Sequence, residues 1–78
     1  MARYANAEAK LATLVEIMGY ETEFEMLEKA TFDSVADAIC INDDCDYATE
    51  MEPDQDKGWC EECEANTIVS CLVLKGII

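Results

Sequence analysis

Four cysteines constrain this chain more than any other feature. Cys40 and Cys45 form C-x4-C, Cys60 and Cys63 form C-x2-C, and fourteen residues separate the pairs. A short-spaced pair lets one turn present two sulfurs to the same ion, and tetrahedral zinc takes four thiolates at about 2.3 Å. The chain has 78 residues, which makes one domain. A domain of that size buries only about 60% of the surface its unfolded chain exposes and commonly needs a staple. A zinc ion held by Cys40, Cys45, Cys60 and Cys63 is the expected staple.

Three alternatives compete with that reading. Two disulfides would need an oxidising compartment. The start, MARYANAEAKLATLVEIMGYETE, lacks the long apolar region of a secretory leader. No apolar run reaches the roughly 18 residues of a membrane span. A cytoplasmic location is therefore expected, and five cysteines suit four ligands plus one spare, Cys71. An iron site of rubredoxin type is also a four-thiolate tetrahedron, but that family's spacing is longer and both its knuckles are narrow. The run Asp54-Gln55-Asp56-Lys57-Gly58 lacks the closing Glu of a calcium-binding EF-hand loop.

The stretch around the cysteines is acidic. Ten carboxylates lie between Asp43 and Glu64, and the chain as a whole carries −13, from 18 acidic and 5 basic side chains. Four thiolates on Zn²⁺ already leave the centre near −2, so the carboxylates repel the cluster rather than stabilise it. They belong on the outer side of loops whose inner side is sulfur. Asn42, Asp43 and Asp44 also suit the turn of the wider knuckle, and backbone N–H groups are the expected donors to sulfur. The charge argues against direct binding to nucleic acid, which requires a positive footprint. It favours a basic protein surface as partner; solubility alone is the plainer explanation. The candidate partner-facing residues are Asp43, Asp44, Glu50, Glu52, Asp54, Asp56, Trp59, Glu61 and Glu62. Trp59 and Tyr47 flank the ligand turns and serve either as a cover for the cluster or, for Trp59, as a docking anchor.

The hydropathy pattern predicts an α+β fold, a helical hairpin over residues 1–30 packed on a small antiparallel zinc-ribbon sheet over 40–75. Tyr4, Ala7, Leu11, Leu14 and Met18 make a helical stripe widened by Val15, and Gly19 stops it. Thr22 with Glu25 resembles a capping box, followed by an apolar face of Phe24, Leu27 and Ala30. Residues 31–39 fit either a helix or an irregular bridge. Asp46–Met51 alternates as a strand, and EPDQDKG is a turn. Between the cysteine pairs, a strand, a turn and a returning strand are expected to bring the knuckles together. TIVSCLVL, residues 67–74, reads as a strand apolar on both faces, to be covered by the N-terminal helices or by a homodimer. Cys71 within it is expected to act as a small buried hydrophobe.

No histidine is present, and neither a nucleophile-elbow nor a phosphate-loop motif occurs. Four cysteines leave no open position on a metal. The expected class is a non-enzymatic protein.

The segment CDYATEMEPDQDKGWCEEC, followed by NTIVSCLVLKGII, resembles a group of short proteins of bacteria and their phages. Their shared core is Y-x-x-E-x-EPDQ-x-x-GWCE-x-C, with a T-x-x-S-x-L-x-L-x-GII tail. The resemblance spans nearly the whole chain and includes the FDSV step at Phe32–Val35. It implies a small metal-bound protein with Cys40, Cys45, Cys60 and Cys63 as ligands, and it brings no reaction with it. Zinc knuckles favour Gly at positive φ just after the second cysteine, where Asp46 and Glu64 stand; Asp tolerates that conformation, and similar sequences carry Gly where Glu64 stands here. Glu64 there is expected to cost about 1 kcal/mol. The leading expectation is an acidic zinc-binding protein that docks on a basic surface. A phage-type form would inhibit a host nucleic-acid-binding complex, such as a defence nuclease. The alternatives are a zinc-ribbon accessory subunit of transcription or another host assembly, and a rubredoxin-like electron carrier.

Overall fold

A computed structural model describes residues 4–33, 35–52, 55 and 57–76. Three helices and four strands follow one another: α1 (Ala7–Met18), α2 (Glu23–Phe32), β1 (Ala36–Cys40), β2 (Ala48–Met51), β3 (Gly58–Cys60), β4 (Ala65–Ser70) and α3 (Cys71–Lys75). The strands form one antiparallel sheet in the order β2-β1-β4-β3. The architecture is the α+β arrangement the sequence predicts.

The alanine-rich α1 buries Ala7, Lys10, Leu11 and Leu14, a stripe at helical spacing. It stops at Gly19, whose φ of 79° is left-handed. There the Gly19 N–H donates to Glu16 O at 3.3 Å and the Tyr20 N–H to Val15 O at 3.1 Å, which satisfies the last carbonyls. Thr22 opens α2 by accepting from the Glu25 N–H at 3.1 Å. The phase of α2 differs from the expectation. Met26 and Ala30 face the core, whereas Phe24 is exposed. Leu27 sits between these two faces, and a short stripe containing it supports both phases.

Residues 36–40, ambiguous in sequence, are the central strand β1. The apolar tail is the larger correction. The strand expected over 67–74 ends at Ser70, and the chain turns into α3. Ser70 Oγ accepts from the Val73 N–H at 3.3 Å, and Gly76, at φ 83°, closes the helix. These two caps bracket the apolar run. Packed among α1, α2 and the sheet, α3 buries Cys71, Leu72, Val73 and Leu74 together. Their apolar character is thus accounted for within one chain.

The expected strand pairing between the cysteine pairs also differs. β2 and β3 occupy opposite edges. The strands that join the two knuckles are β1 and β4, with Cys40 opposite Ile68 and Ala38 opposite Ser70. The sheet separates two apolar clusters. Leu11, Leu14, Met26, Ile39, Val69 and Leu74 anchor the one under the helices. On the far side, Ala38, Cys40, Met51, Cys60 and Ile68 cluster with Cys45, Tyr47 and Cys63 around them. Gly58 permits that second packing, because a Cβ there would lie 3.2 Å from Ile68 Cβ.

Candidate metal centre

The topology places the four cysteines. Cys40 ends β1, and the turn after it leads through Cys45 to β2. Cys60 ends β3, and the turn after it leads through Cys63 to β4. Because β1 and β4 run antiparallel, the end of one and the start of the other lie at the same end of the sheet. Both turns therefore project from that end toward a common point.

The four Sγ atoms lie within 4.8 Å of one another. Cys40 and Cys63 are 3.7 Å apart, and Cys45 and Cys60 are 3.8 Å apart. A tetrahedron with metal–sulfur bonds of about 2.3 Å has edges of about 3.8 Å. A disulfide needs about 2.05 Å, and all five cysteines are free. The arrangement fits a single metal ion.

Donors surround the sulfurs. The Cys63 N–H donates to Cys60 Sγ at 3.4 Å and Asn42 Nδ2 to Cys63 Sγ at 3.3 Å, and the Thr67 hydroxyl lies 3.2 Å from Cys40 Sγ. Burial raises the Cys40 thiol, but hydrogen bonds, chiefly from Thr67 and the Asn42 backbone, bring it down to about 7. At Cys45 the Tyr47 N–H lowers the thiol, but desolvation and the three neighbouring sulfurs outweigh it and push the group up to about 12. Crowded thiols resist joint ionisation, and a cation relieves that conflict.

Two residues not singled out above, Asn6 just before α1 and Lys10 within it, hold the first knuckle. Asn6 Nδ2 donates to Ile41 O at 2.8 Å and to Asp43 Oδ1 at 2.6 Å. Lys10, only 4% exposed, donates through Nζ to Cys45 O at 2.6 Å and to Asp46 Oδ1 at 3.4 Å. Its signal in the sequence is a lone charge inside the apolar stripe of α1. The buried ammonium thus fixes the backbone of Cys45 and pairs with the Asp46 carboxylate beside it.

Glu64 has φ 53°, the one positive-φ non-glycine among the described residues, while Asp46 does not share it. Its N–H donates to Cys60 O at 2.8 Å and closes the narrow knuckle. The wider knuckle closes through Cys45 N–H to Asn42 O at 3.1 Å and needs no left-handed residue after it. Glu64→Gly is expected to stabilise the protein by about 1 kcal/mol. An unchanged or lower melting temperature would contradict the strain assigned to Glu64.

The predicted partner-facing residues divide by position. Asp43, Asp44, Glu50, Glu52, Glu61 and Glu62 are exposed, and Trp59 is 56% exposed. Asp54 and Asp56 lie outside the described residues. Asp44, Asp46, Tyr47 and Glu62 line a groove of about 560 Å³ that reaches Cys45 and Cys63. A second groove, of about 330 Å³, gathers Glu50, Met51, Trp59 and Glu61 beside Tyr47. Glu61, with burial and the Cys60 and Glu62 charges, raises the Tyr47 phenol. Cys71 lies apart, fully buried, its thiol raised to about 11 by burial and the nearby Asp37; it is a small core residue.

Fold and site together define a small α+β domain with a four-cysteine site able to hold a metal ion. No protein-family model, curated protein or solved structure matches the chain.

Proposed function

We propose that the protein is a non-enzymatic interaction module whose fold is stapled by one zinc ion and whose acidic ribbon end docks on a basic protein surface. The observation that carries the reading is the site itself, where four sulfurs at tetrahedral spacing are enclosed by exposed carboxylates. Four thiolates favour zinc over harder ions and fill its coordination shell, which suits structure rather than catalysis. Asp44, Asp46 and Glu62 converge on one groove, so the negative field is concentrated beside the ion. Such a field steers a cationic surface toward it. A nucleic-acid-binding protein offers such a surface, and occupying it would inhibit a host complex, as in the phage-type version. Among the described residues no helix is long and apolar enough to cross a membrane.

The test uses a basic partner captured at low salt. Affinity is expected to fall steeply between about 50 and 300 mM salt, as screened charges require. Asp44→Asn with Glu61→Gln and Glu62→Gln should weaken it at least about tenfold. Salt-insensitive binding, or full binding by the neutralised variant, overturns the charge-driven reading.

A second reading, the accessory subunit of transcription or another assembly, is favoured by the exposed Trp59 beside Tyr47 and Met51. In that case Trp59→Ala weakens binding most and neutralising the acids changes little.

A further inference from the structure

Both phenylalanines of the chain, Phe24 and Phe32, lie on α2 in solvent, 70% and 83% exposed. The same helix buries Met26 and Ala30. With about 3.6 residues per turn, Phe24 and Phe32 fall on the side pointing away from the core. That side of a surface helix is ordinarily polar, and large exposed apolar groups in one patch mark an interaction site. With Leu27 and Thr31 they line a groove of about 340 Å³, and Glu28 stands at it.

Charge says what would cover this groove. Glu28 lines it, and the exposed Glu21 and Glu25 flank Phe24 along the chain. Lys29, the one lysine of α2, is turned toward Tyr20, with Nζ 5.8 Å from the centre of its ring. We infer that this face of α2 docks a basic amphipathic helix of a partner protein. Two aromatic side chains about two turns apart give an apolar helix face two points to pack against, and Glu28 with its acidic neighbours selects lysine or arginine at the partner's rim. A second copy would set these acids against themselves, with −13 on each chain. The face is distinct from the grooves beside the cysteines and does not depend on what binds there.

The test titrates isotopically labelled protein with a synthetic 18-residue peptide carrying leucine and lysine at helical spacing, with a glutamate-for-lysine peptide as control. Chemical-shift changes should centre on residues 24–32. Phe24→Ser/Phe32→Ser, which removes only exposed rings, should melt as the parent does and bind at least about tenfold more weakly. Four outcomes overturn the inference: no binding, a footprint centred on β2 and β3, full binding by the double variant, or preference for the acidic peptide. Self-association of the parent that the double variant abolishes assigns the face to a second copy instead. Binding to phosphatidylcholine vesicles lost in the same variant assigns it to a membrane, and either result also overturns the proposal.

Discussion

Stripping the metal is expected to unfold the protein. Of the five residues that form the buried cluster on the ribbon side of the sheet, two belong to the candidate metal centre, Cys40 and Cys60, and Cys45 and Cys63 pack around them. Without an ion, Ala38, Met51 and Ile68 are the only other buried members among the described residues, too little apolar surface to hold two knuckles and two edge strands. Structural zinc supplies about 10–16 kcal/mol of apparent binding energy in small domains, as much as or more than the 5–15 kcal/mol that keeps a typical domain folded. A strong chelator should lower the melting temperature by at least about 20 °C, given 4–8 °C per kcal/mol at this size. Loss of β-sheet signal should accompany it. A melt unchanged after verified metal loss would show that the helices and Ile39, Val69 and Leu74 suffice alone.

Lys10→Met is expected to destabilise the fold and weaken metal binding together. Methionine matches lysine in helix propensity and approximate volume, so the change isolates the charge and its hydrogen bonds. Lys10 Nζ donates to Cys45 O at 2.6 Å, and a hydrogen bond from a charged donor contributes about 1.5–3 kcal/mol. The contact to Asp46 adds little, because that carboxylate is 62% exposed. The larger loss is positional, since the ammonium fixes the backbone of Cys45. Partners that orient metal ligands commonly account for 10–100-fold in affinity. Lys10→Met should therefore lose about 2–3 kcal/mol of stability and bind zinc at least about tenfold more weakly in chelator competition. A variant with the parent's melting temperature and zinc affinity would remove Lys10 from the account. Apolar replacement of a buried charge can stabilise a protein, so the experiment is able to give the opposite sign.

What was legible in the sequence follows the strength of each local signal. The stripe of α1, the Gly19 stop and the Thr22 cap each carry their own chemistry, and each appears where expected. The cysteine spacing was readable because two sulfurs per turn is a local constraint. The phase of α2 was not, because Phe24 and Phe32 look like core residues and only tertiary packing places Met26 there instead. The tail misled for a related reason. β-branched and apolar residues fit a buried strand and a buried helix equally, and Ser70 and Gly76 act as caps only once the chain turns between them. Strand order depends on long-range pairing, so the central β1–β4 contact left no mark on the segment between the cysteine pairs. Lys10 did leave one, as a charge within an apolar stripe, but its partners lie 35 and 36 residues away. Glu64 is the case where a local rule and the fold agree: the knuckle demands positive φ, and the chain supplies a residue that adopts it under strain.

Native mass spectrometry of the purified chain, with thiol counting and elemental analysis on the same sample, decides whether one zinc holds the four cysteines. The expected result is one zinc per chain, with five thiols titratable once the protein is denatured. Two disulfides with no metal, or one iron in place of zinc, would contradict the account.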